Sequence, residues 1–180
     1  LWDTGETTQS IEVSPDTTST YSVEVFQNEC SDIDEVAVLV NTIPTANAGD
    51  DVEICKGSTV TLTATGGDSY LWDTGETTQS IEVSPDTTAS YSVEVFQNEC
   101  SDTDLVEVVV NEIPNANAGS DLTITEGETI VITATGGESY IWNTGETTPS
   151  ISVSPLTTTE YSVIVTINNC ESLDAIIVFV

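Results

Sequence analysis

The sequence contains almost no positive charge. Across 180 residues Lys56 is the single Lys or Arg, there is no His and no Met, and 31 Asp and Glu give a formal net charge of -30. A nucleic-acid partner is excluded, because phosphate binding requires a basic footprint, and anionic membrane surfaces are disfavoured for the same reason. Self-repulsion keeps copies of such a chain apart unless cations screen it, which makes a divalent metal a natural candidate partner.

Long apolar runs and the usual catalytic motifs are also absent. No run approaches the roughly 20 apolar residues of a membrane-spanning helix, so no membrane insertion is expected. Without histidine there is no Ser-His-Asp or Cys-His set, and no glycine-rich phosphate loop is present. Paired carboxylates raise glycoside hydrolysis, but the acids fall on alternating outward strand positions and recur in each copy of a repeat. We therefore expect no catalytic residue and no enzyme.

The chain is instead rich in Val, Ile and Thr, with regularly placed Trp and Tyr, which favours pleated strands over disorder. Residues 1–32 and 71–102 match at 30 of 32 positions, and a more diverged copy begins at Ile141, so the repeat is 70 residues long. Solenoid units have roughly 20–50 residues. A unit of this length is expected to be a small domain with its own core.

Proline-containing segments around Pro44 and Pro114 mark the boundaries of the repeat. Residues 1–41 are predicted to be the C-terminal part of a truncated repeat, and 42–111 and 112–180 to be two complete repeats. Because the chain begins in the middle of the pattern, we expect it to be a piece of a longer polypeptide. The linkers contain little Gly or Ser, which predicts semi-rigid joints.

Period-two alternation predicts six or seven strands per repeat and no helix. In residues 42–111 the strands are predicted at 52–55, 59–65, 70–72, 80–84, 91–97 and 105–110. Short strands separated by regular turns are typical of an all-β sandwich with Greek-key connections. Four aromatic residues are expected in the cores: Trp72, Tyr91, Trp142 and Tyr161. Tyr91 is placed like a tyrosine corner; a sugar-stacking platform, the alternative, requires exposed aromatics.

Several sequence strings resemble a known kind of domain. They are Asn-Ala-Gly-x-Asp, Gly-Ser-Thr-Val-Thr-Leu-Thr-Ala-Thr-Gly-Gly, Tyr-Leu-Trp-Asp-Thr-Gly-Glu-Thr-Thr, Ser-Ile-x-Val-Ser-Pro and Tyr-Ser-Val. Together they resemble the tandem immunoglobulin-like or PKD-like β-sandwich repeats of large secreted or cell-surface proteins of Bacteroidota, including gliding-motility adhesins exported by the type IX system. The third copy departs from the PKD-like Trp-Asp pattern, with Asn143 in place of Asp73. The resemblance implies a secreted, cell-surface location, whereas such modules serve as spacers in adhesins, enzymes and filaments alike.

A secreted context allows the four cysteines to oxidise. Cys55 and Cys100 lie in one repeat and are predicted to form a disulfide. Cys30 is the equivalent of Cys100, so its partner is expected upstream of Leu1. Cys170 is predicted to be unpaired in this chain, because Thr125 stands at the position of Cys55. It would be either a buried thiol or half of an intermolecular bridge.

Oxygen-rich clusters near the joints suggest a calcium site, since Ca²⁺ takes about six to eight oxygen ligands. The candidate ligands are Asp50, Asp51, Asp102 and Asp104. The alternative is a solvated acidic surface, and the third copy has Ser120 and Ser172 at two of these positions. No other cofactor is expected.

Two loops resemble the Bacteroidota O-glycosylation acceptor, Asp followed by two Thr. They make Thr17 and Thr87 candidate acceptors, and the third copy, with Leu156 in place of the Asp, is predicted to be unmodified. The alternative is that Pro-Asp-Thr-Thr forms only a turn, with Asp bonding its own backbone.

Two classes of function remain. The first is a structural stalk or spacer whose partners are neighbouring repeats of the same chain. The second is an adhesin module that binds glycans or other surface proteins, or a filament subunit that pairs with its own copies by strand donation. The near-identity of the copies favours the spacer, because a spacer needs many copies and a binding site needs one good loop set.

Overall fold

The computed structural model describes all 180 residues, and its regular secondary structure is entirely β. The strands in chain order are β1 (Ser19–Gln27), β2 (Cys30–Val38), β3 (Val52–Cys55), β4 (Val60–Thr63), β5 (Ser69–Trp72), β6 (Ser80–Val83), β7 (Ala89–Gln97), β8 (Cys100–Asn111), β9 (Leu122–Thr123), β10 (Ile130–Thr133), β11 (Ser139–Trp142), β12 (Ser150–Val153), β13 (Thr159–Ile167) and β14 (Cys170–Phe179). The chain has no helix of the length and apolarity that crossing a membrane requires.

Copy 3 of the repeat, residues 112–180, forms two facing sheets. One has the strand order β11-β13-β14-β9 and the other pairs β10 with β12. Its first, third, fifth and sixth strands thus share one sheet, and its second and fourth strands share the other. This is the partition of strands in an immunoglobulin-like sandwich. The prediction of an all-β, immunoglobulin-like sandwich is therefore confirmed.

The core of copy 3 is built by the inward positions of these strands and is entirely apolar. Trp142 and Ile176 are 1% and 2% exposed, and Val163 and Val165 are completely buried. Full burial of an aliphatic side chain of this size stabilises the fold by roughly 1.5–3 kcal/mol. No charged side chain of the chain is buried.

Copy 2, residues 42–111, repeats the strand order with β3-β8-β7-β5 in one sheet and β4-β6 in the other. The hairpin β7–β8 is antiparallel to β5 on one side, while β3 runs parallel to β8 on the other, with Val52 opposite Val108 and Cys55 opposite Asn111. The first strand of the copy therefore ends beside the last residue of its last strand. That register determines which cysteines can meet.

Copy 1, residues 1–41, consists of the hairpin β1–β2 with Trp2 bridged to Val23. Residues 1–41 correspond to residues 71–111 of copy 2, so β3 and β4 have no counterpart in them. The side chains that pack on those strands in copy 2 are consequently exposed here: Val25 is 61% exposed where Val95 is buried, and Val36 is 50% exposed where Val106 is 1% exposed.

By contact density the chain divides into two compact units. The first comprises Leu1–Ala48, Ala64–Gln79 and Ser92–Leu105, and the second comprises Gly49–Thr63, Ser80–Tyr91 and Val106–Val180. Both include parts of copy 2. The domain ranges 1–41, 42–111 and 112–180 stay a prediction from the sequence repeat.

Candidate functional site at the joints between copies

The most specific side-chain arrangement in the chain lies where one copy meets the next. In each case the end of one copy's last strand contacts the hairpin turn of the following copy. We define joint 1 as Asn41 with the β7–β8 turn, and joint 2 as Cys55 and Asn111 with the β13–β14 turn. Joint 1 lies within the first compact unit and joint 2 within the second.

Each of these hairpins closes with a two-residue turn whose backbone is left-handed. The φ angles are 47° and 67° at Asn98 and Glu99, and 46° and 62° at Asn168 and Asn169. Positive φ at both central positions is the type I′ geometry that matches the twist of paired strands, and Asn tolerates it well. The turn is followed at once by Cys170, which pairs with Ile167. Turn geometry thus holds the cysteine at the tip of the hairpin.

At joint 1 the side-chain amide of Asn41 donates a hydrogen bond to the backbone carbonyl of Asn98, with a distance of 2.8 Å between the nitrogen and the oxygen. Cys100 follows this turn as a partly exposed free thiol, and Cys30 in copy 1 is an exposed free thiol. Within residues 1–180 joint 1 is therefore held by a hydrogen bond, and the position of copy 1 that corresponds to Cys55 falls before Leu1.

Joint 2 is covalent. Cys55 and Cys170 form a disulfide with a Cα–Cα distance of 5.5 Å, across a sequence separation of 115 residues. Around it, the Asn168 side-chain amide donates to Oδ1 of Asn111 at 3.4 Å, and the Lys56 ammonium lies 2.8 Å from a Glu112 carboxylate oxygen. One disulfide, one amide–amide contact and one ion pair therefore connect copy 2 to copy 3.

The predicted disulfide between Cys55 and Cys100 is wrong, and so is the prediction that Cys170 is unpaired. Because β3 runs parallel to β8, Cys55 lies opposite Asn111 at the last residue of β8, whereas Cys100 is the first residue of that strand. At about 3.3 Å per residue the strand places the two cysteines roughly 35 Å apart. A disulfide requires its Cα atoms within about 4.4–6.8 Å of each other.

The candidate calcium ligands have a different role in the structure. Asp102 accepts a hydrogen bond from the backbone amide of Ala46 at 3.0 Å, and Asp104 accepts one from that of Ala48 at 2.9 Å. Asp51 accepts one from the amide of Glu107 at 2.8 Å. These carboxylates tie the segment before β3 to strand β8.

The polar stretch that opens β8 is consequently part of the strand, which begins at Cys100, five residues earlier than predicted. No three His, Cys, Asp or Glu side chains lie close enough together to hold a metal ion. The structure thus shows hydrogen-bonding partners for three of the four carboxylates, all except Asp50. Calcium binding stays a prediction.

The candidate glycosylation loops are exposed at Thr17 and Thr87. The hydroxyl of the following residue is occupied in each copy: Thr18 accepts a hydrogen bond from the amide of Val40, and Thr88 accepts one from the amide of Val110, both at 3.0 Å. The second threonine therefore ties the loop to the last strand, while the first lies at the surface. Modification at Thr17 and Thr87 stays a prediction.

Three of the four aromatic residues predicted to lie in the cores are buried. Trp72 and Trp142 are each 1% exposed, and their indole N–H groups donate to the carbonyls of Thr78 and Thr148 at 3.0 Å. Tyr161 is 7% exposed, and Tyr91 is partly buried.

Sequence reasoning missed a second pair of tyrosines. The hydroxyls of Tyr70 and Tyr140 donate to the carbonyls of Gly67 and Gly137 three residues earlier, at 3.0 and 2.8 Å. Their position two residues before each core Trp, after a Gly-Gly turn, was the signal available. The joint asparagines were also missed; their recurrence at the 70-residue offset was the signal for them.

Two surface groups have a pKa displaced from its ordinary value by a neighbouring residue. The Glu112 carboxylate, by hydrogen bonding and by charge, raises the pKa of Lys56 above its ordinary value. The backbone amide of Thr125, and then its hydroxyl, lower the pKa of Glu128. Lys56 directly follows Cys55, and Thr125 occupies the position equivalent to Cys55 in copy 3.

No protein-family model matches the chain, and no curated protein matches it. Among solved structures it is similar to extracellular domains 3–5 of Drosophila OTK, with 8% identity, 90% of this chain and 70% of that chain covered, and a TM-score of 0.49. It is also similar to a multi-domain segment of titin, with 16% identity, 92% and 75% coverage, and a TM-score of 0.48. The titin z1z2 domains in complex with telethonin share 14% identity over 79% of this chain and 98% of that chain, with a TM-score of 0.35.

Proposed function

We propose that the chain is a non-catalytic structural module of a secreted cell-surface protein, and that it works as a semi-rigid stalk or spacer. The observation that supports this most strongly is the disulfide Cys55–Cys170, which joins two copies of the repeat. A disulfide between two copies holds one copy to the next, as a stalk requires. Disulfides persist mainly in oxidising environments outside the cytosol, which supports an extracellular location.

The recurrence of the joint is a second support. Asn41 and Asn98 at joint 1 stand 70 positions before Asn111 and Asn168 at joint 2, and in both joints the two asparagines are hydrogen-bonded to each other. A spacer requires the same connection at every step, whereas a binding site requires one suitable surface.

The net negative charge of the chain also supports the spacer function. The net charge of -30 is distributed over all three copies, so neighbouring copies repel one another at low ionic strength. Repulsion between linked bodies favours an extended array, and the joint contacts limit bending. The gliding-motility-adhesin-like origin and type IX export implied by the sequence resemblance belong to this proposal.

One observation favours a second candidate, a protein-binding module. On the outer face of copy 3, Ile141, Ile164 and Leu173 lie side by side across β11, β13 and β14, and Ile141 and Leu173 are 51% and 65% exposed. In copy 2 the residue opposite Leu71 is Glu94, so that row is interrupted by a charge. An apolar cross-strand row on an acidic protein would suit an apolar partner surface.

The two candidates are separated by two measurements on the 180-residue chain. A spacer is expected to show no saturable binding on a glycan array or to surface-protein extracts. It is also expected to show a maximum dimension by small-angle scattering that changes little between low and high salt. Saturable binding that Ile164→Glu abolishes would instead establish the binding module, and a dimension that collapses in high salt would exclude semi-rigid joints.

A further inference from the structure

We propose that the disulfide Cys55–Cys170 carries the tension when this chain is pulled at its two ends, and that it removes residues 56–169 from the path of the pulling force. The inference rests on the proposed stalk function, because only a chain anchored at both ends carries tension. It assigns a mechanical role to one bond, and it implies that the strands between Cys55 and Cys170 are shielded from tension.

The positions of the two cysteines along the chain determine the path of the tension. Following the chain from Leu1, tension reaches Cys55 at the end of β3, and following it back from Val180, tension reaches Cys170 at the start of β14. The disulfide connects these two points directly. The intervening residues then form a closed loop attached to the load path, and a covalent loop in parallel with a much shorter connection bears no tension once that connection is taut. Strands β4 to β13 lie within this loop.

The noncovalent contacts at joint 2 could not perform this role alone. Lys56 and Glu112 have side chains that are 45% and 75% exposed, and water and salt weaken the attraction between exposed charges. The amide contact between Asn168 and Asn111 is long, at 3.4 Å. Without the disulfide, tension would therefore run through the backbone of residues 56–169 and act on the sandwich strands.

At joint 1 the equivalent bond would need a cysteine 70 positions before Cys55, and that position falls before Leu1, so Cys100 has no such partner within residues 1–180 and is a free thiol. Copy 3 carries Thr125 at the position of Cys55, so it lacks the cysteine that makes this bond. The mechanical protection proposed for joint 2 therefore depends on two residues, Cys55 and Cys170.

The disulfide prevents a large part of the chain's contour length from extending. At about 3.5 Å per extended residue, the 115 residues of sequence separation correspond to roughly 400 Å of contour. An oxidised chain that is pulled to full extension should release only the residues outside the loop, 1–55 and 170–180.

The test is single-molecule force spectroscopy on the whole chain, held by handles at its two ends. The oxidised protein is expected to lack the last roughly 400 Å of extension, and the double variant Cys55→Ser/Cys170→Ser is expected to gain it. Cys30→Ser/Cys100→Ser is the matched control, which removes two thiols and should extend like the oxidised protein. Equal total extension of the oxidised protein and the Cys55→Ser/Cys170→Ser variant would overturn the proposal.

A second measurement uses the wild-type protein and so does not depend on whether the Cys55→Ser/Cys170→Ser variant folds. Reductant is added to a folded, tethered wild-type molecule, and the hidden length should then appear in the same molecule. Peptide mapping without reduction should find Cys55 joined to Cys170; a Cys55–Cys100 linkage would also overturn the proposal. If the proposed spacer function is wrong, the chain should instead show saturable ligand binding. The extensions measured under force should then be the same as those given above.

Discussion

Asn41 and Asn98, 57 residues apart in the chain, are joined by a hydrogen bond from the side-chain amide of Asn41 to the backbone carbonyl of Asn98. The carbonyl belongs to a turn with positive φ. Asn41→Ala removes the donor, and a single hydrogen bond contributes about 0.5–1.5 kcal/mol. Hydrogen exchange at residues 97–100 should become several-fold faster, while the melting temperature changes little. Asn28→Ala is the matched control, because Asn28 occupies the corresponding turn of copy 1. If Asn28→Ala accelerated hydrogen exchange at residues 97–100 as much as Asn41→Ala does, a specific role for joint 1 would be contradicted.

The disulfide should also stabilise the folded chain at equilibrium. In the chain-entropy model, closing a loop of about 100 residues contributes roughly 4.7 kcal/mol, and this loop spans 115 residues. The variant Cys55→Ser/Cys170→Ser should therefore unfold at markedly lower denaturant concentration. Chemical denaturation followed by Trp fluorescence is the measurement, since Trp72 and Trp142 lie in the two cores. An unchanged transition for both tryptophans would contradict it, and Cys100→Ser should leave the transition in place.

The alternation of apolar and polar residues was sufficient to predict where the strands lie, but not which strands pair with one another. Alternation in residues 52–110 predicts most of the six strands of copy 2 within a few residues. The string Ser-Ile-Glu-Val shows the limit: residues 80–83 form β6 and pair with β4, with Ile81 opposite Leu62. Alternation predicts both strands, but it does not say which strand pairs with which, because every strand offers the same backbone donors and acceptors.

The cysteine pairing failed for a related reason. Spacing within one repeat favours Cys55 with Cys100, but pairing depends on which ends of the strands meet. The parallel register of β3 with β8 is a long-range fact, set by Val52 opposite Val108. Predicting it required knowing that the first strand joins the sheet beside the end of the last strand. The joint contacts follow from the same geometry, which is why Asn111 and Asn168 were not predicted to lie together.

Asp104 tests whether the acidic residues near the joints are structural or metal-binding. Its carboxylate accepts the backbone amide of Ala48, whose side chain is 1% exposed. Asp104→Ala leaves that amide without its partner, at a cost of about 1–3 kcal/mol. The melting temperature should fall by the same amount in excess Ca²⁺ and in chelator. A loss seen only in Ca²⁺ would contradict the structural role and establish a calcium site, and Asp50→Ala is the control.

Two glycines with similar backbone angles should differ sharply in tolerance. Gly66 and Gly75 have φ of +110° and +96°, where an L side chain is strained. A Cβ on Gly66 would overlap the carbonyl oxygen of Thr45, whereas a Cβ on Gly75 meets nothing within 4 Å. Gly66→Ala should therefore destabilise copy 2 by several kcal/mol, and Gly75→Ala by about 1 kcal/mol. Thermal unfolding of the two variants is the measurement, and equal losses would show that only backbone strain matters.

Glu128 provides a pH-dependent test. Hydrogen bonds from the backbone amide and the hydroxyl of Thr125 lower its pKa from the ordinary 4.5. Because the folded-state pKa is lower than the unfolded one, the stabilisation is present above about pH 4.5 and is lost as pH falls through the folded value. NMR titration should give a Glu128 midpoint below 4.5. Thr125→Val keeps the backbone donor and removes the hydroxyl, so it should move that midpoint only part of the way back. Full recovery of the ordinary value in Thr125→Val would show that the hydroxyl, and not the amide, is the main cause.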